Sequence, residues 1–268
     1  MKLERRPISY VLAATDHGLM IINRNDYNVT QSGHKYGVGS DLLQYSSFDK
    51  DEVDLALWIL RQRHEQFGDG VYAIDCGANI GVHTIEWAKF MTGWGGLLAV
   101  EAQEKVFYAL AGNISINNCF NVRALWAAVG SHAGSILVPA PNYHEPASFG
   151  SLEIQKRDHN EFIGQSLDYS EGNSIQTPLF PIDDLDLNRV DFIKMDIEGM
   201  ELEALEGANK TIMKCQPCML IEKIKSNEDA LIDFFNRINY VTFNLGMAFL
   251  AFPKGDQLIE HFHARLKQ

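Results

Sequence analysis

The feature that most constrains the fold is a regular alternation of short apolar segments with helical segments from residue 71 onward. The apolar segments are VYAID, LLAVE, VRALWAAV, VDFIKMD and CMLIEKI. Because these strands are apolar on both sides, helices must cover both faces of their sheet, which is typical of parallel sheets. The segments YVTFNL and MAFLAFP then predict a closing antiparallel hairpin. The sequence therefore predicts an α/β fold built on a mostly parallel, Rossmann-like sheet.

Helical patterns occupy the intervals between these strands and the region before them. They predict helices at residues 49–67, 80–92, 104–117, 201–214 and 227–238. The first carries acidic residues in its first turn, where the helix dipole favours them. The last has Ser226 and Asp229 at the spacing of a capping box. Short runs within residues 8–30 predict a small N-terminal hairpin.

A long irregular segment, residues 131–182, interrupts this alternation. It is rich in Ser, Asn, Gly and charged residues and has weak periodicity. An insertion of this length in a compact domain usually acts as a lid or substrate loop, although a tolerated surface loop is the alternative. We accordingly divide the chain into a lead-in segment (1–50), a main domain containing the insertion (51–255) and a C-terminal helix (256–268).

Composition narrows the classes of partner. The chain has 23 basic and 35 acidic residues, a net charge of −12, and no basic stripe, which disfavours nucleic acid and favours a neutral or cationic small molecule. Its first 18 residues resemble neither a signal peptide nor a membrane span, so we expect a cytoplasmic protein without a membrane partner. The CQPC pair, Cys215 and Cys218, lacks a second ligand pair, which disfavours a metal or redox role.

A glycine turn, Asp75-Cys-Gly77-Ala78-Asn79-Ile-Gly81, follows the first strand of the alternation. Ligands of open parallel sheets bind beyond the carboxyl ends of the strands, where this turn lies. A dinucleotide fingerprint has a middle glycine that makes room for pyrophosphate, and Asn79 stands near that position. The turn therefore favours a cofactor without phosphate but with carboxylate, amine and ribose groups. A purely structural corner is the alternative.

Glu101 ends the second strand, 20 residues after Gly81. A carboxylate at this place can accept hydrogen bonds from both hydroxyls of a ribose. The sequence of strand, glycine turn, helix, strand and terminal acid therefore favours a nucleoside site over a structural corner.

Further carboxylates end the next two strands of the main sheet. Asp196 ends one, Glu198 follows in the turn, and Glu222 ends the other. Helix capping explains acidic residues in the turn but not a strand-end residue such as Asp196. A carboxylate rim suits a cationic ligand or a metal. Asp196, Glu198 and Glu222 could hold a divalent ion, but no spacing rule requires one, and we predict no metal site.

Four stretches together resemble the FkbM family of S-adenosylmethionine-dependent methyltransferases: IDCGANIGVHT, VEAQEKVFYALAGNISIN, AAVG and DFIKMDIEGMELEALEGA. The resemblance covers about residues 45–253. It implies the seven-stranded class I methyltransferase sheet with a C-terminal antiparallel hairpin, S-adenosylmethionine as cofactor, and O-methylation, commonly of sugar or polyketide hydroxyls. The chain departs from the family at Cys76, at His83, where the family often has an aromatic residue, and in its insertion. The identity of the methyl acceptor therefore does not follow from the resemblance.

The resemblance also implies roles for residues of this chain. Residues 75–81, including Asp75, Gly77, Ala78, Asn79 and Gly81, would contact the methionine end of the cofactor, and Glu101 would hold the ribose. Ala127 and Ala128 would lie beside the adenine, and Asp196 near the sulfonium.

A base must take the proton of the accepting hydroxyl, and several side chains are candidates. We select Asp196, Glu198 and His144 as candidate catalytic residues; His144 lies in the insertion. We interpret His83 as a structural residue. Ser151 and Glu222 are expected to contact the substrate. We expect Asp196→Ala to abolish transfer and leave the fold intact. Two alternatives stay open, an NAD-type oxidoreductase and a non-catalytic cofactor-binding module.

Overall fold

A computed structural model describes residues 7–30 and 32–266. The N-terminal segment contains two small hairpins and two helices: β1 (Tyr10–Thr15), β2 (Gly18–Asn23), β3 (Asn28–Val29), β4 (Lys35–Tyr36), α1 (Val38–Tyr45) and α2 (Lys50–Phe67). The hairpin predicted within residues 8–30 is confirmed, since β1 and β2 pair antiparallel from Thr15–Gly18 at the turn to Tyr10–Asn23 at the ends.

The main domain alternates strands and helices as the sequence predicts. Its elements are β5 (Val71–Cys76), α3 (Val82–Phe90), β6 (Gly95–Glu101), α4 (Glu104–Ile116), β7 (Val122–Trp126), β8 (Ala128–Val129), β9 (Gly134–Pro139), β10 (Ser174–Phe180), β11 (Phe192–Met195), α5 (Glu201–Glu206), α6 (Asn209–Cys215), β12 (Cys218–Glu222), α7 (Glu228–Arg237), β13 (Tyr240–Asn244), β14 (Ala248–Pro253) and α8 (Leu258–Arg265).

Seven of these strands form one sheet in the order β13-β14-β12-β11-β5-β6-β7. The central pairs β12–β11, β11–β5, β5–β6 and β6–β7 are parallel, and β14 pairs antiparallel with both β12 and β13. The predicted fold class is confirmed, including the antiparallel hairpin at the end of the sheet.

Alternate side chains of the central strands enter two separate apolar cores. On β5, Ala73 packs into the core beneath α2, α3 and α4, whereas Ile74 packs into the core beneath α5, α6 and α7. Both faces of the strand are therefore removed from water, which accounts for the uninterrupted apolar runs in the sequence. Among the described residues, no helix has both the length and the apolar content needed to cross a membrane.

The insertion is more ordered than the sequence suggests. Strands β9 and β10 pair antiparallel along their length, and the end of β10 also pairs with β8 in a separate three-stranded sheet. The irregular part is thereby reduced to residues 140–173, apart from two short 3-10 turns. This part crosses the carboxyl end of the main sheet.

The predicted helix at residues 201–214 is two helices, α5 and α6, separated at Gly207 and Ala208. A Cβ atom at position 207 would lie 2.0 Å from the carbonyl oxygen of Gly130, so the chain can pass this point only with glycine. The prediction was wrong because helical periodicity continues across the break, while the contact with Gly130 is not visible in the pattern.

The capping box predicted at Ser226 is also wrong. The N-cap of α7 is Asn227, whose side chain accepts a hydrogen bond from the backbone N–H of Ala230. The Ser226 hydroxyl instead donates to Glu201. Ser226 was the natural choice from sequence because serine is a frequent N-cap residue.

The side chain of Asn227 is therefore expected to stabilise α7. Replacing an N-cap asparagine by alanine leaves one backbone donor without its partner and costs about 0.5–2 kcal/mol. We expect Asn227→Ala to lower the free energy of unfolding by that amount in urea titrations. Asn236→Ala, the same substitution at an exposed site later in the same helix, should change it by less. Equal effects of the two variants would contradict the capping role.

Candidate functional site

A cleft of about 330 Å³ opens at the carboxyl ends of β5, β6, β11 and β12. This volume lies within the range of small-molecule sites, about 300–1,000 Å³. The cleft brings together most of the predicted site residues, which are Asp75, Gly77, Ala78, Asn79, Glu101, Ala127, Ala128, Ser151, Asp196, Glu198 and Glu222. Gly81 supports the turn behind the wall of the cleft.

The glycine turn has the backbone that its sequence predicts. Gly77, Asn79 and Gly81 all have positive φ, at 78°, 50° and 96°. A Cβ atom on Gly77 would lie 1.8 Å from the carbonyl oxygen of Asp196, and one on Gly81 would lie 2.7 Å from the Leu110 side chain. These glycines therefore make room for the neighbouring strand and helix, and the turn presents Ala78 and Asn79 to the cleft.

Asp75 lies at the base of the turn and is 1% exposed. Its Oδ2 accepts a hydrogen bond from the Thr84 hydroxyl at 2.6 Å. Its Oδ1 is buried and has no hydrogen-bond partner among the residues that the structure describes. A buried carboxylate oxygen without a partner is costly, so Oδ1 is suited to accept a hydrogen bond from a ligand.

Glu101 faces the cleft from the end of β6 and forms no salt bridge within the described ranges. One carboxylate oxygen accepts the N–H of Gln103 at 2.8 Å, and the other accepts the N–H of Asn79 at 3.0 Å. Burial raises the pKa of Glu101 to about 7. Each oxygen keeps a further lone pair, so a carboxylate held in this way can accept both hydroxyls of a ribose.

Beside Glu101 the cleft becomes apolar. Ala127, Ala128 and Val129 line one side, and Leu152 and Ile154 of the insertion also line the cleft. Such a lining suits the faces of an aromatic base.

On the other side of the glycine turn the cleft is acidic. Asp196 Oδ2 lies 2.8 Å from Nζ of Lys194, which is itself 4% exposed. Glu222 Oε2 is buried, and no hydrogen-bond partner for it lies in the described part of the chain. Burial, together with the charges of Asp196 and Glu198, raises the pKa of Glu222 to about 9. The cleft thus carries negative charge that a cationic ligand would compensate.

Glu198 is held by Lys225, which follows β12 and also contacts the insertion. Its Oε2 lies 2.5 Å from Nζ of Lys225, which also contacts Glu161 at 2.8 Å and donates to the carbonyl oxygen of Ser151. Arg157 donates to the carbonyl oxygens of Gly199 and Lys225. These contacts fasten residues 151–161 over the carboxyl ends of the strands, so Glu198 has a structural partner that the sequence did not indicate.

The carboxylate groups of Asp196, Glu198 and Glu222 each offer an oxygen within 4.8 Å of the others. The ammonium groups of Lys194 and Lys225 pair with two of them and would compete with a divalent ion. The expectation that the site uses no metal stays a prediction.

The structure does not bring His144 to the cleft. Its side chain is exposed, and its Nδ1 lies 2.5 Å from the Ser9 hydroxyl in the N-terminal segment. His83, interpreted from sequence as structural, does line the cleft, and its Nε2 lies 2.9 Å from Asp49 Oδ2.

Asp49 and Lys194 are among the cleft residues that sequence reasoning missed. Lys194 had a detectable signal, because a charged residue in the apolar strand DFIKMD requires a buried partner.

The two cysteines of the CQPC pair are free thiols. Cys218 is buried, accepts a hydrogen bond from the Arg63 guanidinium, and has a pKa raised to about 12, chiefly by burial. A thiol in that state is a poor nucleophile and metal ligand.

Comparisons with known proteins find similarity over most of the main domain. Residues 75–244 match the family description "Methyltransferase FkbM domain". "Methyltransferase sdnD" of Sordaria araneosa is 25% identical over 158 residues, which cover 52% of this chain and 61% of the relative. "Methyltransferase 1" of Beauveria bassiana is 24% identical over 151 residues, which cover 53% and 59%. The chain thus spans about three fifths of the length of these curated relatives.

Among solved structures, a crystal structure of methyltransferase FkbM from Methylobacillus flagellatus is similar in fold. It aligns with a TM-score of 0.48 at 22% identity, and the alignment covers 69% of this chain and 44% of that chain.

Proposed function

Since this chain belongs to the FkbM methyltransferase family, we propose that its cleft binds S-adenosylmethionine and directs the methyl group to a hydroxyl of a small molecule or sugar. The family resemblance seen in the sequence is confirmed by the match over residues 75–244. Membership in a methyltransferase family argues against the NAD-type oxidoreductase.

The observation that carries the proposal is the order of chemical environments along the cleft. The apolar lining at Ala127 and Ala128 comes first, Glu101 follows, then the glycine turn, and the acidic end with Asp196 and Glu222 comes last. A base, a ribose and an aminoacyl tail joined through a cationic sulfur present matching groups in the same order. The absence of a middle glycine in the turn is no obstacle, because this ligand has no pyrophosphate.

When bound, S-adenosylmethionine supplies an activated methyl group on a positively charged sulfur. Asp196 and Glu222 would hold the accepting hydroxyl, and Glu222 Oε2, which has no hydrogen-bond partner among the described residues, would take its proton. A cation beside Glu222 lowers the pKa of this carboxyl toward neutrality, since an opposite charge favours the ionised form. Residues 151–161 cover the cleft and exclude water, which favours a step that neutralises charge.

Binding of the demethylated product S-adenosylhomocysteine tests the cofactor assignment. At 100 times its Kd the ligand should stabilise the folded protein by about 2.7 kcal/mol, measured as a thermal shift. NADH should give no shift. The opposite pattern would contradict the assignment.

Formation of S-adenosylhomocysteine from S-adenosylmethionine, in mixtures of sugars and polyketide-like alcohols, tests catalysis. Cofactor binding without product in every mixture would favour the non-catalytic module.

A further inference from the structure

A partly buried group of charges forms the wall of the cleft where the start of α2, the start of α3 and the end of β11 meet. In the described part of the chain, the ammonium group of Lys194 interacts electrostatically with four carboxylate groups. These belong to Asp49, Glu52, Asp75 and Asp196. Burial acts to lower the pKa of Lys194, but the charges of Asp196 and Asp75 outweigh it and raise the pKa. With Lys194 charged, the group keeps an excess of negative charge.

Asp49 is held in this wall by its backbone and by His83. It has φ 52°, in the left-handed region, and immediately precedes the first residue of α2. Its Oδ2 lies 2.9 Å from His83 Nε2. Because an ionised carboxylate can only accept hydrogen bonds, Nε2 must carry the hydrogen; Nδ1 is an acceptor in the neutral ring and a donor in the imidazolium.

Two polar atoms of this wall are buried without a hydrogen-bond partner among residues 7–30 and 32–266. They are Nδ1 of His83, whose side chain is 8% exposed, and Oδ1 of Asp75. Both residues line the cleft, as Asp49 does. Buried polar atoms without a partner are uncommon in native proteins, and the carboxylate oxygen of Asp75 indicates a donor that is supplied from outside the chain.

The sheet order fixes which part of the cofactor reaches this wall. Glu101, the ribose acceptor, ends β6, and the apolar lining at Ala127 and Ala128 lies beyond β7. The order β11-β5-β6-β7 then places the other end of the ligand over β5 and toward β11. Neighbouring strands are about 4.8 Å apart, so Asp75 on β5 and Asp196 after β11 lie about one and two strand spacings from the strand that carries Glu101.

We propose that Asp49 and His83, together with Asp75, bind the α-ammonium group of the cofactor's amino-acid tail. This proposal rests on the proposed function. An ammonium group has three hydrogen-bond donors and no acceptor, which matches an acidic wall with an unpartnered carboxylate oxygen. Asp49 and His83 thereby extend the cofactor site beyond the glycine turn to the segment before the first strand of the sheet.

The test compares two ligands that differ only at the amino-acid tail. S-adenosylhomocysteine carries the tail, and 5′-methylthioadenosine carries a methyl group in its place. A hydrogen bond to a charged group contributes about 1.5–3 kcal/mol, so Asp49→Asn should weaken S-adenosylhomocysteine about 10–100-fold in calorimetric titrations. The affinity for 5′-methylthioadenosine should stay within about twofold of the wild-type value, because the substitution leaves the nucleoside end untouched.

Asp51→Asn is the matched control. Asp51 is exposed in the first turn of the same helix, and its substitution removes the same charge. It should leave both affinities unchanged. Asparagine tolerates the left-handed backbone of position 49, which favours retention of the fold in Asp49→Asn. Should that variant nevertheless fail to fold, His83→Gln is expected to give the same selective loss.

The outcomes separate this proposal from the proposed function. If wild-type protein binds S-adenosylhomocysteine but Asp49→Asn weakens both ligands equally, or neither, the assignment of the ammonium site is overturned and the cofactor site stands. Decarboxylated S-adenosylmethionine keeps the ammonium without the carboxylate, and undiminished binding of it to Asp49→Asn would also overturn the assignment. If wild-type protein binds neither adenosine ligand, the proposed function itself fails, and this proposal fails with it.

Discussion

Asp196→Asn is expected to lower kcat for methyl transfer by about 10²–10³-fold, the range found when a group that stabilises charge in the transition state is removed. Asp196 immediately follows β11, its side chain is 39% exposed, and one of its carboxylate oxygens lies within 4.8 Å of one of Glu222. Asparagine has nearly the same shape but lacks the negative charge that would stabilise a cationic sulfur and orient a hydroxyl donor.

The choice of asparagine follows from Lys194. Its Nζ is buried and lies 2.8 Å from Asp196 Oδ2, so a variant without an acceptor at position 196 would leave a buried ammonium short of a partner. Alanine would remove that partner, which changes the expectation from sequence that Asp196→Ala leaves the fold intact. The amide oxygen of asparagine can still accept a hydrogen bond from Lys194.

Three measurements on Asp196→Asn separate catalysis from stability. Product formation should fall, the thermal unfolding midpoint should stay near that of the wild type, and S-adenosylhomocysteine should still give a thermal shift. Asp229→Asn, at an exposed site in α7, should behave as the wild type in all three. Undiminished turnover in Asp196→Asn would remove this residue from the reaction.

The sheet and the cofactor turn could be predicted because their signals are local in the sequence. Continuous apolar runs identify β5, β6, β11 and β12 as buried parallel strands, and strand ends identify the positions of Asp75 and Glu101. Parallel strands bring their carboxyl ends to one edge, so the order of strand-end residues along the chain is enough to assemble that part of the site.

The remaining parts of the site depend on contacts between residues far apart in the sequence. Asp49 lies in a loop before α2 and reaches the cleft only because α2 packs beside α3, which places it against His83. His144 lies in the insertion as expected, but the path of that segment carries it to Ser9. Neither the hydrophobic periodicity nor the spacing of residues in the sequence predicts either contact.

Strand β10 was not predicted from the sequence for a different reason. It contains Pro178, which cannot donate a backbone hydrogen bond and disfavours a strand in sequence reasoning. In the structure, β8 pairs only with Leu179 and Phe180, so the ladder on that side begins after the proline. The strand is therefore compatible with Pro178 through its register, which the sequence does not give.

Glu222→Gln is expected to abolish most of the turnover and also to change how stability depends on pH. The loss of turnover should be about 10²–10⁴-fold, since glutamine cannot take a proton. Glu222 has a pKa raised from 4.5 to about 9, chiefly by burial and then by the charge of Asp196. Between these two values the folded protein holds a proton that the unfolded chain has released. Its free energy of unfolding therefore falls as pH rises through this window, by at most about 1.4 kcal/mol for each pH unit.

Glutamine resembles the protonated carboxyl group and does not titrate. The free energy of unfolding of the variant should therefore lack the decrease with pH that Glu222 causes in the wild type. Urea unfolding at pH 5 should give similar free energies for wild type and Glu222→Gln, and at pH 8.5 the variant should be the more stable. Glu206→Gln, exposed on α5, should follow the wild-type curve. Parallel pH curves for wild type and Glu222→Gln would mean that Glu222 is already ionised in the free protein. If Glu222→Gln is more stable than the wild type at pH 8.5 but has lost turnover, then the buried carboxyl group of Glu222 destabilises the free protein and is needed for the reaction.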